Sequence, residues 1–236
     1  MKRKLLYYDM EWVPISRDFE TLETEYPNHA GAWSRRCDKW RSSGKFKPQQ
    51  SDSEIYNIES GFYPEYIKII CISCGYYKGD KMAIDSFYGH DEVEILERVA
   101  TLFHKISGKY DLCGHSIKRY DMPFLAKRLA INGIPVPYNL NNGKKKPWDL
   151  TAVDIAEEWS FGCMQEKYTP LDWICVSLGV DTPKTDISGA QVKDAYYNQN
   201  RLEDIKDYCE RDVIATAEVE QKIYAITNPQ KIKENA

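Results

Sequence analysis

Short runs rich in Ile, Tyr, Leu and Phe alternate with polar turns in the first third of the chain. Residues 3–9, 66–77 and 81–88 have this pattern, and apolar runs of that length between turn residues predict β-strands. Gly79 and Asp80 separate the second run from the third, as the two-residue turn of a hairpin would. The pattern therefore predicts three strands, which we expect to be antiparallel neighbours.

Farther along the chain, apolar residues recur at helical spacing. Between Asp91 and Gly108 they fall on one face of a helix, and a long final helix without Gly or Pro is predicted from Arg201 to Ile226. The pattern also predicts a strand over 110–114, a helix over 121–129 capped by Asp121, a short strand over 148–150 and a helix that begins at Thr169 and ends at Gly179. Together these elements predict an α/β fold in which helices flank a mixed central sheet.

Residues 14–62 do not continue the sheet pattern. We interpret them as an insertion between the first two strands, within a single domain of residues 1–236. Trp33, Cys37 and Trp40 recur there at helical spacing. The segment is also basic. Subtracting the negative charge of Asp38 from its six cations leaves about five net positive charges; the cations are Arg35, Arg36, Lys39, Arg41, Lys45 and Lys47.

Composition and charge indicate a globular protein and exclude several other classes. The chain has 236 residues, of which 42% are hydrophobic, so it is long enough to bury a large core. A net charge of −4 excludes a protein that coats nucleic acid through an overall positive charge. No apolar run has the length of a membrane span or a signal-peptide core, and the seven cysteines are an odd number. We therefore expect a cytoplasmic protein with reduced thiols and no membrane contact.

Three places along the chain carry candidate chemistry. Asp9 and Glu11 are two apart at the end of an apolar strand, so they share a face and offer the hard oxygen ligands that divalent cations prefer. Asp121 precedes a helix, and Tyr208 and Asp212 are four apart within one, so that last pair also shares a face. Taken singly, each has an ordinary structural explanation: a solvated strand end, a helix cap and a solvated helix face.

Taken in order, these segments resemble the three exonuclease motifs of the DEDD superfamily. They are Tyr8-Asp9-Met10-Glu11, Gly114-His115 through Tyr120-Asp121 to Leu125, and Tyr208-Cys209-Glu210-Arg211-Asp212. The resemblance is to the Tyr-containing branch, and specifically to the proofreading exonuclease domain of family B DNA polymerases. His115 departs from that family, which usually has Asn there, and the basic insertion has no obvious counterpart in it.

The resemblance implies a ribonuclease H-like fold and a catalytic set of Asp9, Glu11, Asp121, Tyr208 and Asp212. In that set the four carboxylates would hold two Mg²⁺ or Mn²⁺ ions, and Tyr208 would orient the attacking water. Contacts to the substrate strand are expected from Met10, His115 and Tyr120. We also expect them from Arg35, Arg36, Lys39 and Arg41, with Trp33, Trp40 and Phe46 stacking on bases; the alternative is that this segment is solvated surface over packed aromatic rings.

The function expected from this resemblance is that of a stand-alone 3′-5′ exonuclease. It would hydrolyse single-stranded DNA or frayed 3′ ends to nucleoside 5′-monophosphates. Only 24 residues follow Asp212, so we expect any polymerase or repair partner to act in trans. Two alternatives stay open: the same chemistry on RNA, and a non-catalytic nucleic-acid-binding protein of the same fold.

Overall fold

A mixed five-stranded sheet forms the centre of the protein. The computed structural model describes residues 4–146, 149–163, 169–183 and 187–229. Its strands are β1 (Leu5–Pro14), β2 (Ile67–Lys78), β3 (Lys81–Tyr88), β4 (Asp111–Gly114) and β5 (Val153–Asp154), in the order β3-β2-β1-β4-β5. Neighbours among β1, β2 and β3 are antiparallel, whereas β4 runs parallel to β1 and β5 parallel to β4. The predicted antiparallel pairing of the first three strands is confirmed.

Helices cover both faces of this sheet. They are α1 (Phe19–Glu25), α2 (Pro27–Ser42), α3 (Asp52–Glu59), α4 (Glu92–Ile106), α5 (Asp121–Ile131), α6 (Ile155–Trp159), α7 (Leu171–Leu178), α8 (Val192–Tyr197) and α9 (Leu202–Thr227). On one face, Tyr8 and Met10 of β1 join the core formed with α4 and α5. On the other face, Tyr7 joins a core with α7 and α9. Because strand side chains alternate, Asp9 and Glu11 point to the α9 face.

The first strand continues well past the predicted end at Asp9. It remains paired with β2 as far as Pro14, with a register shift between Glu11 and Trp12. Two acidic residues so close together suggested a solvated strand end. In the structure α9 covers their face of the sheet instead, and Val13 beyond them is fully buried. The carboxylates therefore lie within the strand, on a covered face.

The insertion between β1 and β2 folds into α1, α2 and α3 around its own small core. Trp33 and Trp40 of α2 are 1% and 6% exposed, and their rings pack edge-on at 5.6 Å between centroids. Phe46 packs against Trp40 with the ring centroids 5.9 Å apart. That residues 14–62 are an insertion within a single domain stays a prediction. The hypothesis that Trp33 and Trp40 stack on bases is wrong, because both side chains are buried.

Two predicted elements, the helix after β4 and the last strand, begin at slightly different residues in the structure. Asp121 is the first residue of α5, and Tyr120 rather than Asp121 occupies the cap position. The short strand predicted over 148–150 lies at Val153–Asp154. Residue 148 of the predicted range is outside the described residues. All seven cysteines are free. Within the part of the chain that the structure describes, no helix is long and apolar enough to cross a membrane.

Candidate active site

Three carboxylates meet where α9 crosses the middle of β1. Asp9, Glu11 and Asp212 each offer one oxygen atom to a group in which all the atoms lie within 4.8 Å of one another. Among the described residues, this is the only group of three or more His, Cys, Asp or Glu side chains with that spacing. The sequence indicated that Asp9 and Glu11 share a face, because side chains alternate along a strand. Only the structure shows that α9 covers this face.

Burial and mutual repulsion make this cluster costly to charge. Burial raises the pKa of Asp9 well above its usual range, and the nearby charges of Asp212 and Glu11 raise it further. The pKa of Glu11 is raised for the same reasons, again with burial as the largest cause. Oδ2 of Asp9 is buried and has no hydrogen-bond partner. A divalent cation would neutralise the carboxylates and give this oxygen a partner, so the side chains present fit a metal site.

Asp121 approaches the cluster from the start of α5 but is not part of that group of three. Its side chain is buried, and burial raises its pKa to about 7. Hydrogen bonds from the backbone at Asp121 and Met10 oppose that rise, whereas the charge of Asp212 adds to it. The backbone of β1 at Met10 thus holds the Asp121 carboxylate, which stays close enough to Asp212 to interact with it electrostatically.

Tyr208 lies one turn before Asp212 on α9, and its hydroxyl is hydrogen-bonded to the Asp212 carboxylate. The ring is 8% exposed. Burial raises the pKa of the hydroxyl above its usual value, and the negative charges of Glu11 and Asp212 raise it further. The hydroxyl is therefore neutral at physiological pH and acts as a hydrogen-bond donor.

Polar contacts fix α9 against the sheet at the level of the cluster. The thiol of Cys209 donates to the backbone oxygen of Asp9 at 3.4 Å. On the neighbouring residue, Glu210 accepts a hydrogen bond of 2.7 Å from the hydroxyl of Ser86 in β3. Ser86 in turn is 2.9 Å from the hydroxyl of Ser73 in β2. These contacts hold the helix so that Asp212 faces β1.

The loop between β4 and α5 carries His115 and is organised by Asp154. This buried carboxylate accepts hydrogen bonds from the backbone N–H groups of Ser116 at 2.9 Å, Lys118 at 3.0 Å and Ala156 at 3.0 Å. The sequence analysis missed Asp154, although an Asp that follows an apolar strand residue and precedes a helix is a typical helix cap. Its position explains how the chain turns from β4 towards Asp121.

Two further residues shape this loop. At Gly114 a Cβ atom would lie 2.1 Å from Cγ2 of Ile117 and 2.7 Å from the backbone oxygen of Tyr8, so only glycine fits. Nε2 of His115 donates to the backbone oxygen of Thr169 at 2.9 Å, since a carbonyl oxygen can only accept. Burial lowers the pKa of His115. His115 is therefore a neutral ring that connects the loop to the residues before α7.

The residues predicted to contact the substrate differ in how exposed they are. Met10 is 2% exposed and its side chain lies in the core, so its contact with a substrate strand stays a prediction that only its backbone could fulfil. Tyr120 is half-buried, with its ring edge-on to Phe124 at 6.0 Å and the Arg119 guanidinium 5.2 Å from its centroid. Part of the Tyr120 ring therefore stays accessible beside Asp121.

The basic residues of α2 fall into two groups. Arg35, Arg36 and Lys39 are exposed. Arg41 instead forms ion pairs of 2.8 Å with Asp38 and 2.8 Å with Asp52. We therefore correct the prediction for Arg41, because its guanidinium is committed to holding α2 and α3 together.

Most of the chain matches a known protein family. Residues 60–226, more than two thirds of the chain, match the family described as "Predicted 3'-5' exonuclease related to the exonuclease domain of PolB". The matched range contains Asp121, Tyr208 and Asp212, whereas Asp9 and Glu11 precede it and are brought to Asp212 by the fold. No curated protein matches the chain.

Among solved structures, the chain is similar to the family B DNA polymerase from the hyperthermophilic archaeon Pyrobaculum calidifontis. The TM-score is 0.61 at 13% sequence identity, over 94% of this chain and 25% of the polymerase chain. The present chain thus spans about a quarter of the polymerase's length. At this level of identity the similarity concerns the fold, and the predicted ribonuclease H-like α/β fold is confirmed. On the strength of the family match, the chain belongs to the family of predicted 3'-5' exonucleases related to the exonuclease domain of PolB.

Proposed function

We propose that this protein is a metal-dependent 3′-5′ exonuclease that releases nucleoside 5′-monophosphates from single-stranded DNA or frayed 3′ ends. One observation carries the proposal: Asp9, Glu11 and Asp212 each bring an oxygen atom to within 4.8 Å of the others. In addition, Oδ2 of Asp9 has no hydrogen-bond partner. Carboxylates held this close together repel one another, so such a cluster is rarely kept for stability alone. Binding of cations that act on a phosphodiester would explain why these carboxylates lie together.

In this proposal Asp9, Glu11 and Asp212 hold Mg²⁺ or Mn²⁺, and Asp121 contributes to holding a second ion. When bound, two such ions supply positive charge to the scissile phosphate and its leaving oxygen. The carboxylates keep the ions in place and are themselves held by β1, α5 and α9. The backbone at Met10 hydrogen-bonds to the side chain of Asp121 and so restrains it.

Tyr208 is the residue that we propose positions the attacking water. Its hydroxyl is neutral, so it orients the water through a hydrogen bond instead of removing a proton from it. The hydrogen bond to Asp212 holds the hydroxyl beside the carboxylate cluster. The proton leaves to solvent or to one of the surrounding carboxylates.

The strand itself would be held by residues around this centre and by the exposed cations of α2. His115 and Tyr120 lie on the loop that leads to Asp121, and we propose that they contact the terminal nucleotides. Arg35, Arg36 and Lys39 would bind backbone phosphates at a distance from the cleavage point. Local cations of this kind reconcile nucleic-acid binding with a net charge of −4.

We further propose that a polymerase or repair protein is the partner of this exonuclease. The cytoplasmic location expected from the sequence stays a prediction, which the seven free thiols support.

Digestion of 5′-labelled single-stranded oligonucleotides tests the function. DNA and RNA of the same sequence are incubated with Mg²⁺, Mn²⁺ or EDTA, and the products are separated by length. We expect a ladder that shortens from the 3′ end only when a divalent cation is present, with mononucleotide as the released product. The matched control is Asp9→Asn, which removes one charge with little change in volume.

The same assay decides between the alternatives. Faster shortening of RNA than of DNA would assign the chain to the exoribonucleases. Binding of both strands without shortening under any metal condition would favour the non-catalytic nucleic-acid-binding protein. Cleavage that persists in Asp9→Asn at the wild-type rate would mean that the carboxylate cluster is not the active site.

A further inference from the structure

A row of aromatic rings connects β1 with the start of α5. Tyr120, which precedes Asp121, lies edge-on to Phe124 with the ring centroids 6.0 Å apart. The ring of Phe124 lies 5.3 Å from that of Trp12, and Trp12 follows Glu11 in β1. Tyr120 and Trp12 are both half-buried. The row therefore has a partly accessible ring beside Asp121 at one end and beside Glu11 at the other.

The indole of Trp12 connects this row to the insertion. Its Nε1 donates to the backbone oxygen of Gly61 at 2.8 Å, and Gly61 lies in a short 3₁₀ helix, Ser60–Phe62. Ser60 is 1% exposed, and its backbone oxygen accepts a hydrogen bond from the N–H of Tyr63. Buried contacts thus hold this turn on both sides of Gly61.

Phe62 presents its ring to solvent from this turn. Its side chain is 62% exposed, whereas the rings of Trp33 and Trp40 in the same insertion are buried. A single exposed aromatic residue is common on protein surfaces, but the backbone of Phe62 is held beside Trp12. A ring whose backbone is already fixed loses little freedom when it binds, so Phe62 is suited to contact with a ligand.

Positive charge lies beyond Phe62 on the insertion. The next residue, Tyr63, packs against Trp40 of α2 with the ring centroids 5.7 Å apart. The guanidinium of Arg36 is 4.9 Å from the centroid of the Trp40 ring, and the ammonium of Lys45 is 4.5 Å from it. Contacts therefore lead from the aromatic row beside the carboxylates, through the turn that carries Phe62, to cations of the insertion.

We propose that Phe62 stacks on a base of the substrate strand, upstream of the 3′-terminal nucleotide. The inference rests on the proposed function, which places the 3′ end at the carboxylate cluster. Every base has a face that stacks on an aromatic ring, so this contact accepts any sequence, as an exonuclease requires. The strand would run from the cluster past Trp12 and Phe62 to the cations of α2, which bind its phosphates.

A partner protein is the other occupant that an exposed Phe ring could have. A stable protein interface buries about 800 Å² on each partner, which is far more than one ring provides. One ring is enough to stack on one base, and the cations beyond Phe62 match the charge of a phosphate backbone. The chemistry of this surface therefore favours a single strand of nucleic acid.

Binding of labelled single-stranded DNA in EDTA measures the contact without cleavage. Phe62→Ala should weaken binding by about tenfold. Phe62→Leu should weaken it nearly as much, since Leu is apolar but has no flat face, and Phe62→Trp should bind at least as tightly as the wild type. Ile131→Ala is the matched control, because Ile131 is an exposed apolar residue about 15 Å along α5 from Asp121. Thermal melting of each variant should match that of the wild type.

Oligonucleotides with a single abasic position locate the base that stacks. As the abasic position moves away from the 3′ end, binding to the wild type should weaken at one or two neighbouring positions. The same positions should have no effect on binding to Phe62→Ala, because the contact is already lost. The salt dependence of binding should be equal in the two proteins, since no ion pair with a phosphate is removed.

The proposal is overturned if the wild type does not bind the strand, or if Phe62→Ala binds it as the wild type does. It is also overturned if Phe62→Leu binds normally, because the contact would then be apolar without stacking. Cleavage by the wild type in Mn²⁺ tests the nuclease function separately. Binding that depends on Phe62 without cleavage would support the stacking site and contradict the proposed function, whereas cleavage with binding that does not depend on Phe62 would do the reverse.

Discussion

The hydroxyl of Tyr208 is hydrogen-bonded to the carboxylate of Asp212, one helical turn farther along α9. The bond joins a neutral hydroxyl group to one of the three clustered carboxylates. The two residues have different roles, since Asp212 can hold a cation and Tyr208 cannot. Changes at the two positions should therefore have different consequences.

Replacing Tyr208 by Phe should impair cleavage while leaving metal binding intact. Phe keeps the ring and its packing, but it lacks the hydroxyl that we propose orients the water. Loss of such a positioning group commonly lowers a rate by about 10² to 10⁴. Single-turnover cleavage in saturating Mn²⁺ measures the effect, with a Mn²⁺ titration beside it. A Tyr208→Phe protein as fast as the wild type would make Tyr208 a packing residue only.

Replacing Asp9 or Asp212 by Asn should affect the metal site itself. Each change removes an anionic ligand and little volume, so we expect cleavage to fall by more than about a hundredfold and Mn²⁺ affinity to fall with it. Without metal, both variants should melt at or above the wild-type temperature, because one of several repelling buried charges is gone. Cleavage and thermal melting are measured on the same preparations. Wild-type rates in a well-folded variant would contradict the proposed site.

Local sequence patterns were sufficient to predict most of the architecture. The hairpin at Gly79 and the helix after Asp91 follow from turn residues and apolar spacing, both of which depend on near neighbours. The length of β1 could not be predicted in this way. Whether Asp9 and Glu11 face water depends on α9, which is about 200 residues away in the chain and is placed by the tertiary fold.

The candidate site shows the same division between local and tertiary information. Ordered motifs identified Asp9, Glu11 and Asp212, and the structure brings these three together. The sequence did not identify Asp154, because it accepts hydrogen bonds from N–H groups of a loop nearly forty residues earlier in the chain. Arg41 looked like its neighbours in a basic run, and only its contact with Asp52 in α3 distinguishes it from them.

The stability of the metal-free protein should depend on pH through Asp121. Folding raises the pKa of this carboxyl from 3.8 to about 7. Between those values the folded protein retains a proton that the unfolded chain has released, so the free energy of unfolding falls as pH rises through that window. Below pH 4 the group is protonated in both states and has no effect. Added Mn²⁺ should reverse the loss at pH 7, because a cation binds the deprotonated carboxylates.

Thermal melting of the wild type and Asp121→Asn from pH 4 to pH 8, with and without Mn²⁺, measures this linkage. The melting temperature of the wild type should fall relative to the variant as pH rises, and the difference should level off above about pH 7. Parallel melting curves across the range would show that Asp121 has an ordinary pKa.

Replacing Asp154 by Ala should disturb the loop that leads to Asp121. The backbone N–H of Ser116 would lose a buried partner, and we expect a loss of roughly 2–4 kcal/mol in the free energy of unfolding. Asp154→Asn should cost less, since one of its side-chain oxygens still accepts. Chemical denaturation measures both, and Asp149→Ala, at an exposed position shortly before β5, is the control. An unchanged midpoint for Asp154→Ala would mean that the loop holds its shape through other contacts.

The exposed cations of α2 should contribute to strand binding by contacting backbone phosphates. If Arg35, Arg36 and Lys39 each neutralise one phosphate, replacing all three by Gln should reduce the slope of log affinity against log salt by up to about 2, at about 0.7 per contact with a single strand. Melting temperature and turnover of bound substrate should change little.

The matched control for that variant is the replacement of Lys78, Lys81 and Lys105 by Gln, which changes the net charge equally but on β2, β3 and α4. Arg41→Gln provides a second comparison: it should lower the melting temperature, because it breaks the ion pairs with Asp38 and Asp52, and should leave the salt dependence nearly unchanged. Binding to a labelled oligonucleotide is measured at several salt concentrations in EDTA, so that no cleavage interferes. If the α2 variant and the control variant give the same slope, only the total charge matters. The insertion would then have no specific part in holding the strand.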